Sequence, residues 1–330
     1  PLKNENLNKE LPLNFVNSTV MFRLLVNPKF KLASNTNVSL KINGGTGWGI
    51  YGKTLTINLT QDINTTETLI AYVAVPAGDS NGYVSDYIGF VLTPNSSKPS
   101  NSYHYYFTMK GKTYAAGKEY TANLSSSGIK SFDSYYYNNH EYVDLGLGGT
   151  MWATMNVVAS NEEDDGYGDY FTWNHIEPIG ESPNSRDNKL ITVNDVVSNS
   201  ESANFEDVAH YYWQGDWATP SQEQCNDLLR NCNWTWNSSI NCYMVSSTVT
   251  NNDAMILLPA AGYIEGEEKK GLGDSADYWT LTQGSGDLNQ AYCIQITNEN
   301  VGPARMSEVN DQLFAITNAC PIRPVFVKNN

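Results

Sequence analysis

The sequence predicts a mostly β protein in two parts, an antiparallel Greek-key β-sandwich followed by a more irregular α+β region. Three observations predict it. Strand-length apolar segments recur between turn clusters from residue 18 to about 124. The 21 tyrosines and the many Asn, Ser, Thr and Gly residues suit half-buried strands joined by loops. The second half differs in kind: it holds seven of the 8 tryptophans, all 5 cysteines and one well-signalled helix.

Taken in order, the first half opens with the β-branched run STVMFRLLV. VSLKI alternates Val38, Leu40 and Ile42, and TLTINL alternates Leu55, Ile57 and Leu59. LIAYVAV, YIGFVL, YHYYFTM and KEYTANL follow, separated by NGGTG, PAGDSNG, TPNSSKPSN and MKGKTYAAGK. Residues 125–142 are polar and tyrosine-rich without a clear period, so a linker is placed at 131–138, dividing a unit at 1–130 from one at 139–330.

In WATPSQEQCNDLLRNCNW, Thr219 is read as the N-cap, Pro220 as the first helical residue and Gln222 as the partner in a capping box. Cys225, Leu228, Leu229 and Cys232 then form one stripe. On a helix Cys225 and Cys232 would lie about 10 Å apart along the axis, too far to bond. A shorter helix is predicted over 205–212. AMILLPAAGY, DYWTLT, AYCIQIT and PIRPVFV read as strands, and residues 177–204 as a polar surface loop.

A net charge of −15 repels phosphate backbones, which argues against nucleic acid and anionic membrane surfaces as partners. No apolar run reaches the roughly 20 residues of a membrane helix. No apolar leader opens the chain, and residue 1 reads as a trimmed start. The cysteines are expected as small buried hydrophobes, because none has zinc-ligand spacing to the 4 histidines.

Few segments carry chemistry. GWGIYGKT at 47–54 matches a phosphate-binding loop formally, but the residues after it alternate as a strand where that loop needs a helix. In NEEDDGYGDYF, Asn161, Glu163, Asp165 and Gly166 echo the start of a calcium loop, with Thr172 where a closing glutamate belongs. Glu163, Asp164, Asp165 and Asp169 are therefore the candidate ligands for calcium, the one cofactor considered. Tyr167, Asp169, Asp274 and Tyr278 are the candidate ligand-binding residues, as loop aromatics and acids. No GxSxG elbow occurs, and the chain is expected to be non-catalytic.

Six separated segments carry a family resemblance. HEYVDLGLGGTMWATMNV, EEDDGYGDYFTW, DVAHYYWQGDWATPSQEQCNDLLRNCNWTW, ILLPAAGY, DYWTLT and PIRPV occur in order over residues 139 to 330. Together they resemble the Fibrobacter succinogenes major paralogous domain, a module of exported bacterial proteins. The resemblance implies a C-type-lectin-like fold related to that of the formylglycine-generating enzyme. Met155 stands where that family often has cysteine, Ala218 where arginine is common, and no EPN or WND calcium motif is present.

YVAVPAG and MKGKTYAAGKEYTANL resemble the late strands of fimbrillin pilins, and Asp274-Ser275-Ala276 resembles a short O-glycosylation signal of exported Bacteroides proteins. The combined resemblance implies a cell-surface adhesin of the outer membrane or a fimbria, a tip or accessory pilin. Its partners would be other pilin subunits, joined by strand addition, and a host or bacterial glycan or protein. A glycan-binding lipoprotein of nutrient uptake, and an enzyme on the formylglycine-generating scaffold, are the competing readings.

Overall fold

The computed structural model describes residues 19–27, 32–34, 37–43, 54–58, 61–76, 83–84, 87–95, 98–108, 113–126, 128–158, 167–180, 206–238, 240–284, 289–297 and 313–328. These are mostly β. The first strands are β1 (Thr19–Val26), β2 (Asn37–Asn43), β3 (Thr54–Asn58), β4 (Leu69–Pro76), β5 (Tyr83–Val84), β6 (Tyr87–Thr93), β7 (Asn101–Thr108), β8 (Thr113–Tyr114) and β9 (Glu119–Asn123). Next come β10 (Lys130–Tyr137), β11 (His140–Leu147), β12 (Thr150–Ala153), β13 (Tyr170–Thr172) and β14 (Pro178–Gly180). Helices α1 (Val208–Trp213) and α2 (Gln222–Asn231) follow. The remaining strands are β15 (Cys232–Asn237), β16 (Cys242–Ser247), β17 (Met255–Pro259), β18 (Tyr263–Glu265), β19 (Glu268–Lys270), β20 (Ser275–Gln283), β21 (Gln290–Thr297), β22 (Leu313–Ala315), β23 (Ala319–Cys320) and β24 (Val325–Val327).

The alternation read from the early strands places their apolar residues on one face. Val20, Phe22, Leu24 and Val26 of β1 are buried, and they cluster with Leu69 and Ala71 of β4 and with Phe90, Leu92, Tyr103 and Tyr105 of β6 and β7. Burying a side chain of this size contributes about 1.5–3 kcal/mol. β1 lies between β4, antiparallel, and β9, to which it pairs in parallel from Met21↔Glu119 to Leu25↔Asn123. Thr54 opens β3, antiparallel to β2, so a strand stands where a phosphate loop would need its helix. Residues 44–53 lie outside the described set.

The largest sheet has the order β24-β12-β11-β10-β7-β6-β2-β3, antiparallel throughout. This corrects the linker expected at 131–138. Residues 130–137 are instead a strand, β10, paired with β7 from Lys130↔Tyr106 to Tyr135↔Asn101 and with β11 through Tyr135↔Tyr142. The period of two is present, but Ser134 takes an inward position beside Phe132 while Asp133 and Tyr135 face the other way. A buried serine hides the alternation from a hydropathy reading.

Beyond β10, α2 lays Cys225, Leu228 and Leu229 against a core built from β11, β16, β17, β20 and β21, to which β7 and β10 add Tyr106 and Phe132. The predicted stripe is right on the helix, but Cys232 has left it and begins β15 in extended conformation. The cap is also corrected. Ser221 caps α2, accepting from the Gln224 N–H at 3.2 Å while the Gln224 side chain accepts from the Ser221 N–H at 2.8 Å. Thr219 is occupied elsewhere: its hydroxyl donates to Asp207 Oδ1 at 2.7 Å, and Asp207 caps α1.

A second core gathers Phe171, Trp173, Trp213, Trp217, Trp279, Phe314 and Phe326. Most second-half tryptophans are thus packing residues, and Trp152, Trp217 and Trp279 are each no more than 1 % exposed. The backbone is fitted just as closely at Gly262, where φ is +62° and a β-carbon would stand 2.0 Å from the Lys270 carbonyl oxygen.

Candidate functional site

The residues expected to bind ligand fall mainly inside the protein. Tyr278 lies on β20 and is 1 % exposed, a correction to its reading as a loop aromatic. DYWTLT continues the run of buried positions that starts at Ser275, so Asp277 and Tyr278 both become core. The Tyr278 hydroxyl donates to the Pro259 carbonyl at 3.0 Å, and burial pushes its pKa up.

Asp169 is likewise buried, with its N–H on the Val157 carbonyl at 3.0 Å. Tyr167 is half-buried against the core, and its carbonyl accepts from Asn156 Nδ2 at 2.7 Å. Asp274 is exposed in a turn, its N–H donating to the Gly271 carbonyl at 3.0 Å. Glu163, Asp164 and Asp165 lie outside the described residues. Among the described residues no three His, Cys, Asp or Glu side chains gather to hold a metal ion. The Asp274-Ser275-Ala276 signal is also corrected as an accessible site: Ser275 is 5 % exposed and its hydroxyl donates to Asp277.

What joins Tyr167 and Tyr278 is a buried cation. Arg323, 1 % exposed, donates from Nε to Asn156 Oδ1 at 2.6 Å, from Nη1 to the Ala153 carbonyl at 3.0 Å and from Nη2 to the Leu257 carbonyl at 2.8 Å. Asn156 in turn reaches the Tyr167 carbonyl and the Tyr278 hydroxyl. A buried charge is costly unless it is hydrogen-bonded, and here each guanidinium nitrogen donates to a neutral acceptor. This node is structural, tying the end of β12 to β17 and to the PIRPV segment.

A second polar cluster contains the residue types of a hydrolase. Ser134 Oγ lies 3.0 Å and Glu141 Oε1 2.9 Å from His104 Nε2, and Thr154 Oγ1 donates to Glu141 Oε2 at 3.0 Å. A catalytic relay places acid and nucleophile on opposite ring nitrogens. Here both meet Nε2, Ser134 also donates to Glu141, and Ser134 is fully buried. Burial alone would raise the Glu141 pKa, but the charge and hydrogen bond of His104, with Ser134 and Thr154, hold it below the usual carboxylate value. The cluster pins β7, β10 and β11 together.

The other face of β10 is covered where Tyr103 and Tyr105 of β7 join the first core, and open at Tyr135. Strand pairing puts Tyr135 beside Tyr142, and Asp133 beside Tyr103. The Tyr135 and Tyr142 rings stand 5.8 Å apart, and Tyr135 is 44 % exposed. A cleft of about 300 Å³ runs from here to the turn after β16, lined by Ser131, Asp133, Tyr135, Asp144, Asn251, Asn252 and Asp253 among others. Asn251, at φ +63°, shapes that turn in a conformation asparagine tolerates. Asn252 fixes it to the sheet, donating to the Asp144 carbonyl at 2.9 Å, while its Oδ1 accepts from the Ala254 N–H at 2.9 Å. Tyr106 reaches the Asp253 carbonyl at 3.3 Å from beneath, and Lys130 pairs with the Asp253 carboxylate at 3.2 Å.

An aromatic face beside carboxylates and amides on a braced wall is equipped to hold a polyhydroxylated or amide-bearing ligand. Sequence reasoning missed this cleft because β10 was read as a linker and because nothing local joins it to the turn at 251–253. The exposed half of the YYY alternation was the available signal. Comparison with protein-family models, curated proteins and solved structures finds no match to this chain.

Proposed function

We propose that this chain is a non-catalytic, exported cell-surface adhesin, a fimbrial tip or accessory subunit, whose second half holds a glycan or a protein ligand in the Tyr135 cleft. The cleft carries the reading: it sets a 44 % exposed tyrosine among Asp133, Asp144, Asn251, Asn252 and Asp253 at one open place. The six-segment resemblance to a C-type-lectin-like module and the pilin-like first half support it. β4 supports assembly by strand addition. It borders its sheet, pairing with β1 alone among the described residues, and carries Ile70 and Tyr72 at 46 % and 52 % exposure.

The test is binding of the full chain to a glycan array, with Tyr135→Ala and Asn252→Ala alongside and a chelator arm. Saturable binding is expected, weakened roughly tenfold or more by Tyr135→Ala, as loss of an aromatic anchor implies. Binding that survives both substitutions would remove the cleft from the proposal. Silence from a folded sample would sink sugar recognition. Loss of binding with chelator alone would move the site to a calcium loop at Glu163–Asp169.

A further inference from the structure

Cys293 and Cys320 lie on strands of different sheets. Cys293 is on β21, opposite Trp279 of β20, and Cys320 is on β23, opposite Phe171 of β13. The two sheets meet in the second core, where these sulfurs stand 3.9 Å apart at 3 % and 0 % exposure. Both positions are tightly held. Trp279 donates from its backbone to the Pro321 carbonyl at 3.3 Å and from Nε1 to the Phe171 carbonyl at 2.8 Å, so the strands bearing the two cysteines are clamped by one residue.

Ordinary packing explains a buried cysteine, but it does not call for two sulfurs in contact across a sheet–sheet boundary. A covalent S–S bond is about 2.05 Å long. The gap to be closed is therefore about 2 Å, a displacement of the size side-chain torsions deliver. Cys225, which shares a small cavity with Cys293 beside α2, is the competing partner.

We propose that Cys293 and Cys320 form a disulfide when the chain folds in an oxidising compartment, stapling the β20–β22 sheet to the sheet of β13, β18 and β23. The bond forms by exchange with an external disulfide. One cysteine thiolate attacks that disulfide, giving a mixed disulfide and one released thiol. The second cysteine thiolate then displaces the other half as a second thiol. Two electrons and two protons pass from the chain to the oxidant, which leaves as two thiols.

Burial pushes both cysteine pKa values up in the folded chain, which keeps them protonated and shielded. Exchange therefore takes place before β23 docks between β13 and β18. The resulting loop spans β22 and restrains the unfolded chain.

The experiment is to refold the full reduced chain in a mixture of oxidised and reduced glutathione, quench with an alkylating agent, and count and map free thiols by mass spectrometry. Arg305 lies between the two cysteines, so trypsin separates their peptides unless they are linked. Three alkylated cysteines and a linked Cys293–Cys320 peptide pair are expected, with a melting temperature raised on the order of 5–10 °C over the reduced chain.

The already folded, reduced chain should keep all five thiols in the same mixture. Five alkylated cysteines in the refolded sample, or a Cys225–Cys293 link, would overturn the proposal. So would a melting difference between oxidising and reducing conditions that persists in Cys293→Ser/Cys320→Ser. Because the thiol count is made on the unsubstituted chain, it stands whether or not that variant folds.

Discussion

Asp277 has no exposed surface on β20, yet it carries an ionisable group. Burial pushes its pKa up to about 6, against the Ser275 and Gln295 side chains that donate to it. The folded chain therefore holds this proton more tightly than the unfolded chain does. The resulting stability is complete below about pH 4 and is lost as pH rises through about 6. Glu141 acts in the opposite sense, since its lowered pKa costs stability on acidification. The two must be separated by comparison with a variant. Urea melts at pH 4 and 7 should show the stability of the natural chain, relative to Asp277→Asn, falling on the order of 2–3 kcal/mol over that interval. Equal pH dependence in both proteins would refute the assignment.

At the scale of elements, the start of α2 shows what a local pattern can and cannot decide. Thr219-x-x-Gln222 and Ser221-x-x-Gln224 both satisfy the capping-box spacing, and the choice between them is made from outside the segment. Asp207, twelve residues earlier, takes the Thr219 hydroxyl and N–H, so the helix begins at Gln222 under Ser221. Replacing Ser221 with Ala should cost about 1 kcal/mol in chemical denaturation, the ordinary worth of a lost N-cap.

Strand β10 teaches the complementary lesson. Its alternation is there in Phe132, Asp133, Ser134 and Tyr135, but hydropathy alone cannot show that Ser134 faces inward to a histidine and a glutamate. Strand β1 and the α2 stripe were legible because their buried faces are apolar. The buried positions of β10 and β20 were not, because polar residues there are satisfied by partners distant in sequence. Tyr278 was misplaced for that reason, and the cleft was missed for it and because nothing local joins β10 to the turn at 251–253.

At the scale of the whole molecule, the eight-stranded sheet runs without a break from β2 and β3 to β12 and β24. A fragment comprising residues 139–330 would lack β10. It would expose one edge of β11 and remove Phe132 and Tyr106 from the core beneath α2. Loss of a large core aromatic alone costs about 3–5 kcal/mol. This fragment should melt well below the full chain, or aggregate through its bare edge. Scanning calorimetry of the two would decide, and a fragment as stable as the full chain would show that β10 is dispensable.

The pairing of β12 with β24 also bears on the order in which the protein can be assembled. Thr150 meets Val327 and Trp152 meets Val325, so the sheet is closed at that end by a strand about 170 residues further along the chain than its partner. Until that strand docks, Trp152 has no cover on that side, and Arg323 has not reached the three acceptors waiting for it at Asn156, Ala153 and Leu257. Ring closure over so long a span is entropically expensive and slow. A chain wired in this way leaves both the sheet and its buried cation incomplete until the segment from Arg323 to Val327 has docked.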